Sequence, residues 1–184
     1  MSTRPRLRRF ALTAHVISSV GWLGAVVGVL ALAIAGLTSD DPQSVQAAYL
    51  AMDLTAWSVL VPLALASLGT GIAQSLGTKW GLVRHYWVVV KLVITVLATV
   101  VLLLYTQTLD YFAGIAAQAT LSPEDIDALQ TPSVVLHAGI ALLLLLVATT
   151  LAVYKPAGMT RYGWRKQSER HATSQPYRVM PAGL

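Results

Sequence analysis

One uninterrupted apolar stretch, Phe10 to Leu37, decides most of what this chain can become. It reads FALTAHVISSVGWLGAVVGVLALAIAGL after the basic run RPRLRR, and His15 is its single ionisable residue. About 20 apolar residues cross a bilayer core as a helix, so the stretch is long enough to span with some tilt. It has no charged face to turn towards water, which excludes a surface helix of a soluble domain. Ala14, Ser18, Gly21, Ala25 and Gly28 follow one another at steps of four and three, which keeps them on one helical side. Small residues let backbones approach closely where lipid removes the hydrophobic drive between helices. The stretch is therefore expected to be the central packing partner of a bundle.

Of the 184 residues, 55% are hydrophobic and 11% charged, with a mean hydropathy of +0.63. That balance belongs to a polytopic membrane protein of one domain. The chain has no cysteine, which excludes disulfides, thiolate sites, iron–sulfur clusters and covalent CxxCH haem attachment. The formal net charge of +5 does not imply nucleic acid, because topology partitions the positive charge. The first stretch has a basic flank and an A-x-A site at Ala33-Ile34-Ala35. It is nevertheless far longer than the roughly 7–15 residues of a signal-peptide core, and it reads as a retained anchor.

Three more apolar segments follow, from about Leu54 to Leu76, Tyr86 to Tyr105 and Val134 to Tyr154. Arg4, Arg6, Arg8 and Arg9 precede helix one; Lys79, Arg84 and Lys91 lie between helices two and three or just inside helix three; Lys155, Arg161, Arg165, Lys166, Arg170 and Arg178 follow helix four. Asp40, Asp41, Asp53, Asp110, Glu124, Asp125 and Asp127 fall in the other two loops, and only Glu169 breaks the acidic half of the pattern. The positive-inside rule then predicts an all-α bundle of four transmembrane helices with both termini in the cytoplasm. A basic stretch before residue 10 and a basic tail from 155 to 184 flank the membrane domain of residues 10–154. The tail, broken by Gly, Ser and Pro, is expected to lie along anionic headgroups or to be partly disordered.

Asp41-Pro42 and Ser122-Pro123-Glu124-Asp125 each offer an N-cap followed by proline. The first predicts a helix running into helix two, the second a short outer helix from Pro123 to about Gln130. Pro62 removes a backbone bond to Ser58 and should bend helix two. Ala64, Ser67, Gly71 and Gln74 form a second small and polar stripe, the natural partner for the helix-one seam. Trp57, Trp80, Trp87 and Trp164 lie near segment ends, as in an aromatic belt, whereas Trp22 sits deep in helix one.

Ionisable groups inside a membrane are functional candidates. His15 and His85 stand near the basic ends of helices one and three, within roughly a turn or two of one depth. Two facing histidines can hold a b-type haem without a local motif, with Lys79, Arg84 or Lys91 near the propionates. The bland alternative is two interfacial histidines bonded to water, headgroups or carbonyls. Lys91 is six residues from His85 and does not share its face; it aligns with Arg84 and Thr95. It is read either as snorkelling to the headgroups or as a propionate or substrate partner. Trp22 and Ser18 lie on the His15 side of helix one, where they wall a planar cofactor or simply pack. His137, near the outer end of helix four, is a candidate for a second haem or metal, or for a bond to a backbone carbonyl. No HExxH, GxSxG, Walker or GxGxxG motif is present.

The segments HVISSVGWLGA, AYLAMDLTAW, VPLALASLGTGIAQSLGTKWGLVRHYWVVVKL and VYKPAGMTRYGW together resemble a family of small four-helix membrane proteins from actinobacteria. That resemblance covers most of the chain and brings no established activity. More distantly, the His followed by a Gly/Trp run, with a basic helix three, is similar to four-helix families that include membrane protoporphyrinogen oxidase and the copper-resistance CopD-like proteins. The similarity implies haem b held by a helix-one histidine, here His15, with a functional lysine on helix three, here Lys91. His85 beside Lys91 departs from that pattern. The reading expected on these grounds is a haem-b-binding membrane protein of oxidoreductase or electron-transfer type. Its alternative is a non-enzymatic accessory or transport module that assembles with a second copy or a membrane partner through the helix-one seam. A copper site is a third option, without the cysteine or methionine cluster it prefers.

Overall fold

The structure, a computed structural model, describes residues 5–77 and 81–174. Arg4, Lys79, Trp80, Arg178 and the side chains of Arg170 and His171 lie outside the described residues. Four helical stretches are long and apolar enough to cross a membrane: Arg6–Thr38, Pro42–Gly77, Tyr86–Ala116 and Pro123–Tyr154. Among the described residues there is no strand, and the architecture is the expected all-α four-helix bundle. We call its two ends basic and acidic after the charges they carry.

Helix α1 (Pro5–Thr38) packs along the second and fourth legs and lies diagonally across the bundle from the third. Helix α2 (Pro42–Thr55) is capped by Asp41, whose carboxylate accepts from the Gln43 and Ser44 amides at 3.3 and 3.1 Å. The cap starts the second leg twelve residues earlier than the apolar segment at Leu54 implies, so Asp53 lies within a helix rather than in a loop. A π-helical turn (Ala56–Leu60) joins α2 to α3 (Val61–Gly77). Pro62 has no amide hydrogen, and the widened turn before it absorbs the defect: Val61 N–H reaches back to the Ala56 carbonyl and Ser58 Oγ donates to the Leu54 carbonyl.

Helix α4 (Tyr86–Ala116) continues well past Tyr105, because no helix breaker intervenes, and so takes Asp110 out of the predicted loop. There Trp57 Nε1 donates to Asp110 Oδ1 at 2.8 Å, and the Asp53 and Asp110 side chains meet. The short helix α5 (Pro123–Leu129) carries a full capping box between Ser122 and Asp125. Helix α6 (Ser133–Tyr154) ends at Lys155 in the left-handed region, φ 44°.

The core lies mostly in the acidic half. Val45, Met52 and Leu129 are fully buried there, alongside Tyr49, which donates to the Leu129 carbonyl and meets Phe112 edge-on at 5.5 Å. In this half α1 packs through Trp22, Val26, Val29, Ala33 and Gly36, not through the small-residue seam. The seam divides. Ser18 is buried and Gly21 faces Leu63, whereas Gly28 is exposed with open space where a side chain would go.

In the basic tail, residues 161–174 form helix α7 (Arg161–Ser174), where partial disorder is one of the two expectations from sequence. Thr160 anchors it to the loop before α4. Its amide donates to the Arg84 carbonyl at 2.9 Å and its hydroxyl to the Val83 carbonyl at 2.6 Å. Gly163 is buried, and a Cβ there would sit 2.5 Å from the Arg84 carbonyl oxygen, so only glycine permits this approach.

Candidate functional site

Polar residues placed at helical spacing on α1 and α3 meet along the basic half of their interface. Gln74 Nε2 donates to the Ala11 carbonyl at 2.7 Å, and the Ser19 and Ser67 hydroxyls pair at 2.8 Å. Between these contacts, His15 Nδ1 lies 3.1 Å from both the Ser67 carbonyl and the Thr70 hydroxyl. Interhelical hydrogen bonds of this kind in membranes average about 0.6 kcal/mol each. Gly71 makes room for the imidazole, since a Cβ there would stand 3.1 Å from His15 Cε1.

The Ser67 carbonyl can only accept, so Nδ1 carries the ring proton and Nε2 presents a lone pair. Lys91 Nζ donates to that lone pair at 3.2 Å. Lys91 is itself held one turn up, where Thr95 Oγ1 donates to its carbonyl at 2.8 Å. The pair opens on a cavity of about 400 Å³ between α1, α3 and α4, within the size range of small-molecule sites. Leu12, Val16, Leu68, Ile72 and Leu92 supply apolar wall; Gln74, Ser75, Thr95, Trp87 and Lys155 supply polar groups. Among the described residues no Asp or Glu lines this cavity, and the only ion pair is Arg165–Glu169 on the tail helix, at 3.8 Å.

The structure therefore brings His15 and Lys91 together and places the other candidates elsewhere. His85 is the N-cap of α4 and pairs with Met159 through the backbone; it does not line the cavity. Arg84 is also outside the lining, with its carbonyl taken by Thr160 and its side chain over Gly81. Ser18 bonds back to the His15 carbonyl at 3.1 Å. Trp22, 3% exposed, walls a different, apolar cavity in the acidic half, shared with His137. His137 Nδ1 is 2.8 Å from the Ser133 carbonyl, the bland partner considered from sequence. Asp53 does not reach His137; it faces Asp110 across α2 and α4.

Trp87 and Lys155 escaped the sequence reading. Trp87 looked like belt, and Lys155 reaches the cavity through a left-handed C-cap that only the Tyr154-Lys155-Pro156 junction hints at. Among the described residues, no three His, Asp or Glu side chains converge as metal ligands. Outside the membrane spans, Asp41 titrates below the ordinary carboxylate range, chiefly because the Ser44 hydroxyl donates to it and then because the Gln43 amide does. Fold and site together define a four-helix membrane protein with a cation-lined cavity in its basic half. Comparison with protein-family models, with curated proteins and with solved structures finds no match.

Proposed function

We propose that the protein binds haem b in the basic-half cavity, where His15 Nε2 would hold the iron. One observation carries this reading: Nδ1 is locked onto the Ser67 carbonyl, and Nε2 faces a ligand-sized cavity. A metal-ligating histidine almost always donates its other ring N–H to such an acceptor, which fixes tautomer and ring orientation. The residues fit the group. Lys91 now occupies the Nε2 lone pair, so a ligand that takes Nε2 must displace the ammonium and offer it a negative charge. A cation in a membrane without an acidic partner favours a ligand that is Lewis acid and carboxylate at once. Haem is both, and the aliphatic wall suits its macrocycle. His85 is not at this cavity, so a single protein ligand from α1 replaces the bis-histidine arrangement expected from sequence.

Bound haem would supply one-electron iron chemistry. The chain itself would orient the imidazole through Ser67 and Thr70, hold a carboxylate at Lys91 and exclude bulk water with the α1–α3 interface. The loose similarity of His15 and Lys91 to the helix-one histidine and helix-three lysine of membrane protoporphyrinogen oxidase supports the same assignment. The charge partition supports both termini being cytoplasmic, with anionic lipids against the basic end. The test is the visible spectrum of protein purified from haem-replete cells. A Soret band is expected that His15→Ala removes and His85→Ala retains. A colourless wild-type protein overturns the proposal.

A second reading, a membrane module that assembles with another copy, draws on Gly24 and Gly28. They are exposed, four apart, with open space beyond each, as helix-dimerising glycines are. Crosslinked dimers that Gly24→Leu and Gly28→Leu abolish would support it; unchanged crosslinking would remove it.

A further inference from the structure

A second cavity, of about 150 Å³, lies in the acidic half between α1, α4 and α6. Trp22, Val26, Ala98, Leu102, Val134 and Ala141 give it apolar walls. An apolar cavity of roughly this volume admits one benzene-sized ring. Two polar residues, Tyr105 and His137, complete the lining; their rings stack at 4.1 Å, 20° from parallel. Tyr105 and Ser133 share a hydrogen bond at 3.1 Å, so the hydroxyl end of Tyr105 is already engaged. His137 Nδ1 meets the Ser133 carbonyl, which only accepts, so Nδ1 donates. The neutral ring then keeps a lone pair on Nε2, which has no hydrogen-bond partner among the described residues. His137, being exposed, holds it at the mouth of the cavity rather than inside it. Val101 and Ile140, also in the lining, are exposed on the outside of the bundle, so the cavity opens sideways towards acyl chains.

The geometry points to a binding site for a lipid-soluble quinol: a single six-membered ring whose hydroxyl donates to His137 Nε2. Size selects one ring, the lateral opening selects a ligand that arrives through the bilayer, and the free lone pair selects a hydroxyl donor. A hydrocarbon tail would fill the volume but leave the imidazole nitrogen unused. The site does not rest on the haem reading, because no residue lines both cavities.

Equilibrium binding to the full chain in lipid nanodiscs tests it, with a short-tailed 1,4-benzoquinol as probe. The same molecule as its quinone, which has no hydroxyl donor, and decane serve as competitors. The quinol is expected to saturate one site and to bind at least tenfold more tightly than the quinone. His137→Phe keeps an aromatic ring against Tyr105 and should erase that preference. Ala141→Leu fills the cavity and should abolish quinol binding while helical content is unchanged. Equal affinity for quinol and quinone in the wild type, displacement of the quinol by decane at equal concentration, or unchanged affinity in Ala141→Leu each overturns the proposal.

Discussion

In the acidic half, Tyr49 donates to the Leu129 carbonyl, Trp57 to Asp110, and Gln130 to the Ser39 carbonyl at 2.7 Å. Among the described residues the largest fully buried side chains, Met52, Leu129, Val45, Val134 and Thr106, lie in this half. In the basic half the equivalent interior is a cavity of about 400 Å³, and its two central polar groups, His15 and Lys91, lean on one another. The acidic half is filled mostly by packing, around one smaller apolar cavity of about 150 Å³. The other spends the same helices on holding an imidazole and an ammonium in place. Both halves are built from similar apolar sequence, so composition does not separate them. What separates them is where polar residues on one helix meet a small residue on the next: Gly71 under His15, Ser67 beside Ser19.

If the acidic half carries the stability, Met52→Ala should cost about 2–5 kcal/mol, the usual range for deleting a fully buried side chain and leaving a cavity. Leu12→Ala, at the half-open wall of the basic cavity, should stay within about 0.5 kcal/mol. Unfolding in mixed micelles measures both, and equal costs would erase the division. Gly163→Ala comes next. Its Cβ meets backbone rather than a yielding side chain, so overpacking should cost about 1–3 kcal/mol. The cost should appear locally, as faster amide exchange over residues 161–174, with the spans unaffected.

Gly71→Val should push the imidazole off the Ser67 carbonyl and weaken haem binding about tenfold, roughly 1.4 kcal/mol. Gly69→Val, which faces open space on the same helix, should leave the Soret titration unchanged. The smallest effect is a pH dependence at the acidic end. The folded-state pKa of Asp41 is depressed, so its capping contribution is present above the unfolded carboxyl's pKa, about 4, and lost as pH falls below that. Protection of the first-turn amides of α2, measured relative to their intrinsic exchange rates, should therefore fall on acidification below about pH 4. Asp41→Asn should flatten the response, and an acid-independent wild type would deny the carboxylate that role.

Much of the fold was legible in the residues. The Phe10–Leu37 stretch, the Asp41-Pro42 and Ser122–Asp125 caps and the charge partition name four legs and most of their ends. The stripe Ala64, Ser67, Gly71, Gln74 reads as the partner for the helix-one seam, because a period of three and four identifies a face. Ser67, Gly71 and Gln74 do meet α1, but through Ala11, His15 and Ser19 rather than through the seam. The misjudged end, at Asp110, arose because a helix continues through polar residues when nothing breaks it; Asp53 was counted with the loop although the Asp41-Pro42 cap already implied a helix through it. The thirty-residue tail could be read only as polar and basic; its docking depends on one glycine, Gly163, lying against the Arg84 carbonyl.

The chain's own order of residues determined that this is a membrane bundle of four helices, and that His15, His85, Lys91 and His137 were the side chains worth asking about. Tertiary structure alone decided that Lys91 rather than His85 meets His15, and that Trp22 belongs to the other cavity. The reason is physical. Periodicity describes rotation about one helix axis, whereas a contact between two helices also needs their relative rotation and depth. In lipid nearly every face is apolar, so those are set by close packing with neighbours and not by any local pattern.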